Sequence, residues 1–156
     1  MTEKTRVIFL CSGNSARSQM AEGLMKSLGS DPWEVRSGGT FPTYVHPLAI
    51  RVMAEVGIDI SQQVSKSFDE FLEEKFDYVI TLCDQTAISC PAFPGQGKRI
   101  DWSLEDPSNA IGTIDERMVV FRRIRDEIKI RIEELLQSLP TQPSPSRGED
   151  EPGGVG

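Results

Sequence analysis

Short continuous apolar runs alternate along this chain with longer stretches of helical periodicity. Arg6–Leu10, carrying Val7-Ile8-Phe9-Leu10, is too short and too rich in β-branched and aromatic residues for a helix and reads as a buried strand. Ser18 to Leu28 places Ala21, Leu24, Met25 and Leu28 on one face, with Gly29 as the stop. Trp33–Ser37 is a second strand, ending in Gly38-Gly39. Pro47 opens a helix running to Val56 and closed by Gly57. Ser67-Phe68-Asp69-Glu70 has capping-box spacing and predicts a short helix towards Lys75. Asp77–Cys83 is a third strand and Arg99–Trp102 a weaker fourth. Thr113-Ile114-Asp115-Glu116 is a second capping box. The helix it opens is the longest, with Met118, Phe121, Ile124, Ile128, Ile132, Leu135 and Leu139 in steps of three and four and Pro140 at its end.

Strands alternating with helices predict an α/β fold: a single domain with a four-stranded parallel sheet and helices on both faces. The apolar runs suit strands buried on both sides. The domain is expected to span residues 1–140. Residues 141–156 are rich in Pro, Gly and Ser, contain Val155 as their single aliphatic residue, and read as a disordered tail. In such folds, sites gather where the carboxyl ends of the strands meet their loops. Cys11 ends strand one, Ser37-Gly38-Gly39 strand two and Cys83 strand three, and Asp106 lies in the loop after strand four. The chemically capable residues share one edge.

The length, 156 residues with 38% hydrophobic, suits one compact core. A formal net charge of −7 argues against a nucleic-acid binder. The apolar runs are too short for a signal sequence or a membrane span, so the expected location is the cytoplasm. That compartment keeps thiols reduced, and the three cysteines are then buried hydrophobes, metal ligands, or redox and catalytic thiols. With one histidine, His46, and no close cysteine pair, zinc is disfavoured.

The chemistry centres on Cys11-Ser12-Gly13-Asn14-Ser15-Ala16-Arg17-Ser18. Between a strand and a helix, this pattern can wrap backbone N–H groups into an oxyanion cradle over a sulfur nucleophile. A thiol with an ordinary pKa near 8.5 is only about 3% thiolate at pH 7. A helix N-terminus, inward amides and the Arg17 guanidinium all favour the anion. Gly13 allows unusual backbone angles, Asn14 tolerates a left-handed one, and Arg17 offers a planar fork matched to two oxygens. The plainer alternative is a buried, inert cysteine before an ordinary turn.

Cys83 and Cys90 are the second signal. A helix between them would separate their Cα atoms by about 10 Å, beyond the roughly 4.4–6.8 Å of a disulfide, so any bond requires residues 84–89 to bend or unwind. Alone, the pair reads as a strand-end core residue and a surface thiol. With Cys11 on the same edge, three thiols are placed to relay a disulfide outward. Asp106-Pro107 makes a turn readily, and its loop also places an acid where an oxygen leaving group needs a proton.

Together these residues resemble the thioredoxin-coupled arsenate reductases, which share the low-molecular-weight tyrosine phosphatase fold. The likeness covers most of residues 6–139. It rests on Cys-x-Gly-Asn-Ser-x-Arg-Ser-Gln-Met-Ala-Glu at 11–22, on Ser37-Gly38-Gly39-Thr40, on Thr81-Leu82-Cys83 with Cys90-Pro91, and on Asp106-Pro107. The resemblance implies that arsenate sits in the loop formed by Ser12, Gly13, Asn14, Ser15, Ala16, Arg17 and Ser18. Cys11 attacks it and Asp106 protonates the departing oxygen. Cys83 then attacks Cys11, releasing arsenite. Cys90 takes over to give Cys83–Cys90, which thioredoxin reduces. No bound cofactor is implied, and a monomer is expected.

Many relatives carry a further cysteine where this chain has Ala16, and the phosphatases usually have a cysteine there and proline where it has Gln19. The extra thiol is not one of the three in the relay, so its loss should not stop reduction, and both differences from the phosphatases lean away from phosphatase. Some relatives hold potassium through the equivalents of Asn14, Glu22, Ser37 and an acidic residue that falls here on Lys66. The Lys66 ammonium is therefore expected to replace the metal, pairing with Glu22 and ordering Asn14, against the plainer reading of a solvated loop lysine. The competing functions are a phosphomonoester phosphatase using Cys11, Arg17 and Asp106, and a non-enzymatic oxyanion or redox sensor.

Overall fold

A computed structural model of the chain describes residues 5–29, 33–83 and 97–138. Cys90, Pro91, Leu139, Pro140 and the tail at 141–156 lie outside the described residues. Four parallel strands, β1 (Thr5–Cys11), β2 (Trp33–Gly39), β3 (Tyr78–Thr81) and β4 (Lys98–Asp101), form one sheet in the order β2-β1-β3-β4. With them run three α-helices: α1 (Arg17–Leu28), α2 (Pro47–Glu55) and α3 (Ile114–Ser138).

The strands are legible because β1 is central. Val7, Ile8, Phe9 and Leu10 are all fully buried, and each is worth roughly 1.5–3 kcal/mol over its exposed state. Successive strand residues point to opposite faces. Val7 and Phe9 join the large core under all three α-helices, whereas Ile8 and Leu10 pack with Phe71, Phe76 and Val79 in a smaller one. The two faces are thus covered unequally, by α-helices on one side and by a 3₁₀ turn (Phe68–Phe71) with its following segment on the other.

That turn is shorter than the helix predicted towards Lys75. Ser67 Oγ accepts from the Asp69 amide at 3.0 Å rather than from Glu70, the 3₁₀ rather than the capping-box arrangement. Glu74, which a longer helix would include, is held by the Arg6 guanidinium together with the Lys75 carbonyl. The second capping box forms as expected: Thr113 N–H donates to Glu116 Oε1 at 2.8 Å and Glu116 N–H to Thr113 Oγ1 at 3.1 Å. The stripe of α3 from Met118 to Leu135 is buried, and with it Arg125, which bonds the Val52 carbonyl and Glu55 on α2. The β3 ladder ends at Thr81, two residues before the predicted Cys83, although Leu82 N–H still donates to the Leu10 carbonyl at 2.8 Å.

Candidate active site

The loop between β1 and α1 is held by its own carbonyls. Phe41 N–H bonds Ser12 O at 2.8 Å, Ser65 Oγ bonds Gly13 O at 3.2 Å, Gln19 Nε2 bonds Asn14 O at 3.1 Å, and His46 N–H bonds Ser15 O at 3.0 Å. In a trans peptide the following N–H points away from the carbonyl. Fixing four successive carbonyls from outside therefore turns the amides of Gly13 to Ala16 the other way, as an anion cradle requires. Asn14, not Gly13, takes the left-handed conformation, with φ of 46°. Gly39 is what lets β2 close beneath: a Cβ there would stand 2.8 Å from Cys11 O, Ser12 O and Asn14 N.

Asn14 is fully buried and its amide orientation is fixed, because the Lys66 backbone N–H can only donate and meets Oδ1 at 2.8 Å. Nδ2 therefore donates to Ser18 Oγ at 2.7 Å. Ser18 Oγ in turn lies 2.9 Å from Cys11 Sγ, with its own proton left for the sulfur. Cys11 itself is a buried free thiol.

Arg17 opens α1 and is almost fully buried. One terminal nitrogen donates to Leu82 O at 3.1 Å and Leu104 O at 3.0 Å, and the other lies 3.4 Å from Asp106 Oδ2. Asp106 caps a second 3₁₀ turn (Pro107–Asn109), its Oδ1 accepting from Ser108 N–H and Oγ at 3.0 and 2.7 Å. The turn and the acid are therefore one structure, with Oδ2 left towards Arg17. Leu10 pairs with Thr81 in the parallel ladder, so Leu82 comes opposite Cys11 and Cys83 one step beyond. An ideal ladder continued that far would set the Cys11 and Cys83 Cα atoms about 6 Å apart, a span a disulfide can bridge. Cys83 is buried and disulfide-bonded, while Cys11 stays reduced.

Lys66 departs from expectation. Its ammonium donates to Val64 O at 2.7 Å, and Glu22 is paired instead with Lys26 at 2.6 Å and with Ser37 Oγ. One helical turn separates Glu22 from Lys26, so the shorter reach wins. Lys66 orders Asn14 through its backbone. No cluster of three or more His, Cys, Asp or Glu fit to hold a metal occurs among the described residues.

These groups line a cavity of about 510 Å³ over Cys11. Its lining beyond the cradle includes residues the sequence reading did not assign to the site: His46, Tyr44 and Arg117. His46 accepts from Leu48 N–H at 3.1 Å through Nδ1, capping α2, and its ring packs against Phe121 of α3. Burial, reinforced by the nearby Arg117 charge, lowers the His46 pKa against a smaller opposing pull from Asp106. The neutral ring is thus the favoured form. A signal for Arg117 existed: α3 starts from the loop after β4, so its first turn returns to the edge that carries Cys11.

Residues 6–144 match the low molecular weight phosphotyrosine protein phosphatase family. The chain is 49% identical over 129 residues to an arsenate reductase of Halalkalibacterium halodurans, covering 83% of this chain and 93% of that protein. An arsenate reductase solved in its phosphate-binding state superposes with a TM-score of 0.75 at 40% identity, over 87% of this chain and 99% of the other. A thioredoxin-dependent arsenate reductase of Corynebacterium glutamicum superposes at 0.67 with 32% identity, over 88% of this chain and 62% of that one.

Proposed function

The chain belongs to the low molecular weight phosphotyrosine protein phosphatase family, and we infer that within it the chain is an arsenate reductase recycled by thioredoxin. The observation that carries the thiol mechanism is the redox arrangement itself: a reduced, buried Cys11 in the cradle and a disulfide on Cys83 at the end of the adjacent strand. A phosphatase needs only the first of these.

Arsenate enters the loop of Ser12 to Ser18, its oxygens on the inward amides and Arg17. The Cys11 thiolate, served by the Ser18 hydroxyl, attacks arsenic. A sulfur–arsenic bond forms, and one oxygen leaves as water with a proton from Asp106. Cys83 then attacks Cys11 Sγ. The sulfur–sulfur bond forms as the sulfur–arsenic bond breaks, and its electron pair stays on arsenic, which leaves as arsenite. Cys90 attacks Cys83, frees the Cys11 thiolate, and leaves a Cys83–Cys90 disulfide. The thioredoxin dithiol returns two electrons to it. The thioredoxin dependence of the Corynebacterium relative supports this reductant.

The catalytic unit is residues 1–140, with 141–156 outside it, acting as a monomer in the reducing cytoplasm. No helix of the described residues is long and apolar enough to cross a membrane. Arsenate-dependent NADPH oxidation with thioredoxin and thioredoxin reductase tests the reading. Wild type turns over, and Cys83→Ser and Cys90→Ser each abolish turnover. Hydrolysis of p-nitrophenyl phosphate equal in all three proteins, with no arsenate-dependent oxidation in any, would establish the phosphatase instead.

A further inference from the structure

The cavity over Cys11 is larger than the ligand the cradle holds. A tetrahedral oxyanion occupies roughly 120 Å³, counting about 30 Å³ for each of four water-sized oxygens, against about 510 Å³ available. The cation within the cradle is also heavily committed. Arg17 spends one terminal nitrogen on two carbonyls and sets the other beside Asp106.

In the lining of the same cavity, Arg117 is paired with no described residue. Its guanidinium makes no hydrogen bond or ion pair among the described residues, and its Nε is buried without a partner. Three other arginines of the same helix behave differently: Arg122 holds Glu55 at 2.8 Å, Arg123 holds Glu105 at 2.7 Å, and Arg125 holds Asp126 at 2.8 Å. A buried donor left unpaired costs free energy unless water or a ligand satisfies it, and a charged ligand does so most strongly. In a chain of net charge −7, a cation without a partner among the described residues in the lining of the nucleophile's cavity favours an anion there. Asp106 is the carboxylate that shares the cavity with it, and that carboxylate faces Arg17.

We propose that Arg117 is a second anion-binding residue of this pocket, holding an outward oxygen of the tetrahedral oxyanion at the cavity mouth while the loop and Arg17 hold the inner ones. The inference rests on the oxyanion reading of the site and extends it to α3. Two cations then face a doubly charged anion, and Arg117 draws substrate towards the pre-formed loop.

His46, the single histidine, is a built-in reporter. It is faced by Arg117 from α3 and by Asp106 from the loop after β4. Its imidazole NMR signal can be titrated in the reduced full-length protein with inorganic phosphate as probe. In wild type, phosphate neutralises Arg117 and moves the His46 midpoint up. Arg117→Met raises the midpoint without phosphate and weakens phosphate binding about tenfold or more, as expected for losing one charge-assisted hydrogen bond. Arg117→Lys restores part of both. Arsenate KM rises in step while kcat stays within about threefold, because the contact is made equally in ground and transition states. Phosphate affinity and KM unchanged in Arg117→Met, with wild type still reducing arsenate, overturn the inference alone. Phosphate binding that depends on Arg117, in a wild type that does not reduce arsenate, keeps the anion site and removes the reductase reading.

Discussion

Along the cradle, here the inner wall of the cavity, every carbonyl from Ser12 to Ser15 is held from outside the loop, whereas in the rest of the lining, here the far wall, the Arg117 guanidinium pairs with no described residue. The inner wall is arranged before any ligand arrives, through Asn14, Lys66 and Ser65, so little reorganisation is left for the reaction itself. The far wall keeps an unpaired cation and a neutral imidazole. The difference separates two tasks. Aligning a thiolate with its target needs a rigid shell, while drawing an anion in needs an unspent charge.

Arg17→Lys attacks the inner wall most directly. Lysine cannot bond Leu82 O and Leu104 O from one nitrogen and still present a second to the substrate. Losing such a donor costs about 10²–10³ in kcat, measurable in the coupled assay. Next in size is Asn14→Ala. It leaves the Lys66 amide short of an acceptor, removes the donor to Ser18 Oγ and puts alanine at φ of 46°. Roughly 2–4 kcal/mol of stability should be lost in urea unfolding, from unsatisfied donors and backbone strain together. Lys26→Met is milder, because Lys26 is half exposed at 52%. About 1 kcal/mol is expected after solvent screening, against no change if Lys66 served Glu22.

The smallest effect belongs to His46. Its folded pKa is lowered, so as pH falls the unfolded chain takes up the proton first. The histidine contribution to stability is intact above about 6.5 and lost as pH drops below it. His46→Asn keeps an acceptor for the cap of α2, and its Tm should decline less than wild type's between pH 7.5 and 5.5. Parallel declines would mean that His46 does not titrate against the far wall.

Much of this was legible in the chain, and the exceptions share a cause. Buried strands announce themselves by unbroken apolar runs, and the capping box at Thr113 needs only residues three apart. Asn14 was foreseen as the residue that tolerates a left-handed turn. What failed depended on side chains meeting across the fold. Ser67 carries the same box as Thr113, yet Arg6 claims Glu74 and the segment stays a 3₁₀ turn. Glu22 could be matched to Lys66 only by analogy, although Lys26 stood four residues away on the same helix. Arg117 looks like one more helix-surface arginine until α3 is folded back over the loop.

The central claim is that a second thiol, not water, resolves the Cys11 adduct. The direct test reacts fully reduced protein with arsenate for one turnover without reductant, then counts arsenite and maps the thiols by mass spectrometry. The account predicts one arsenite per chain, Cys11 free, and a disulfide joining Cys83 and Cys90. Three free thiols and no arsenite would contradict it.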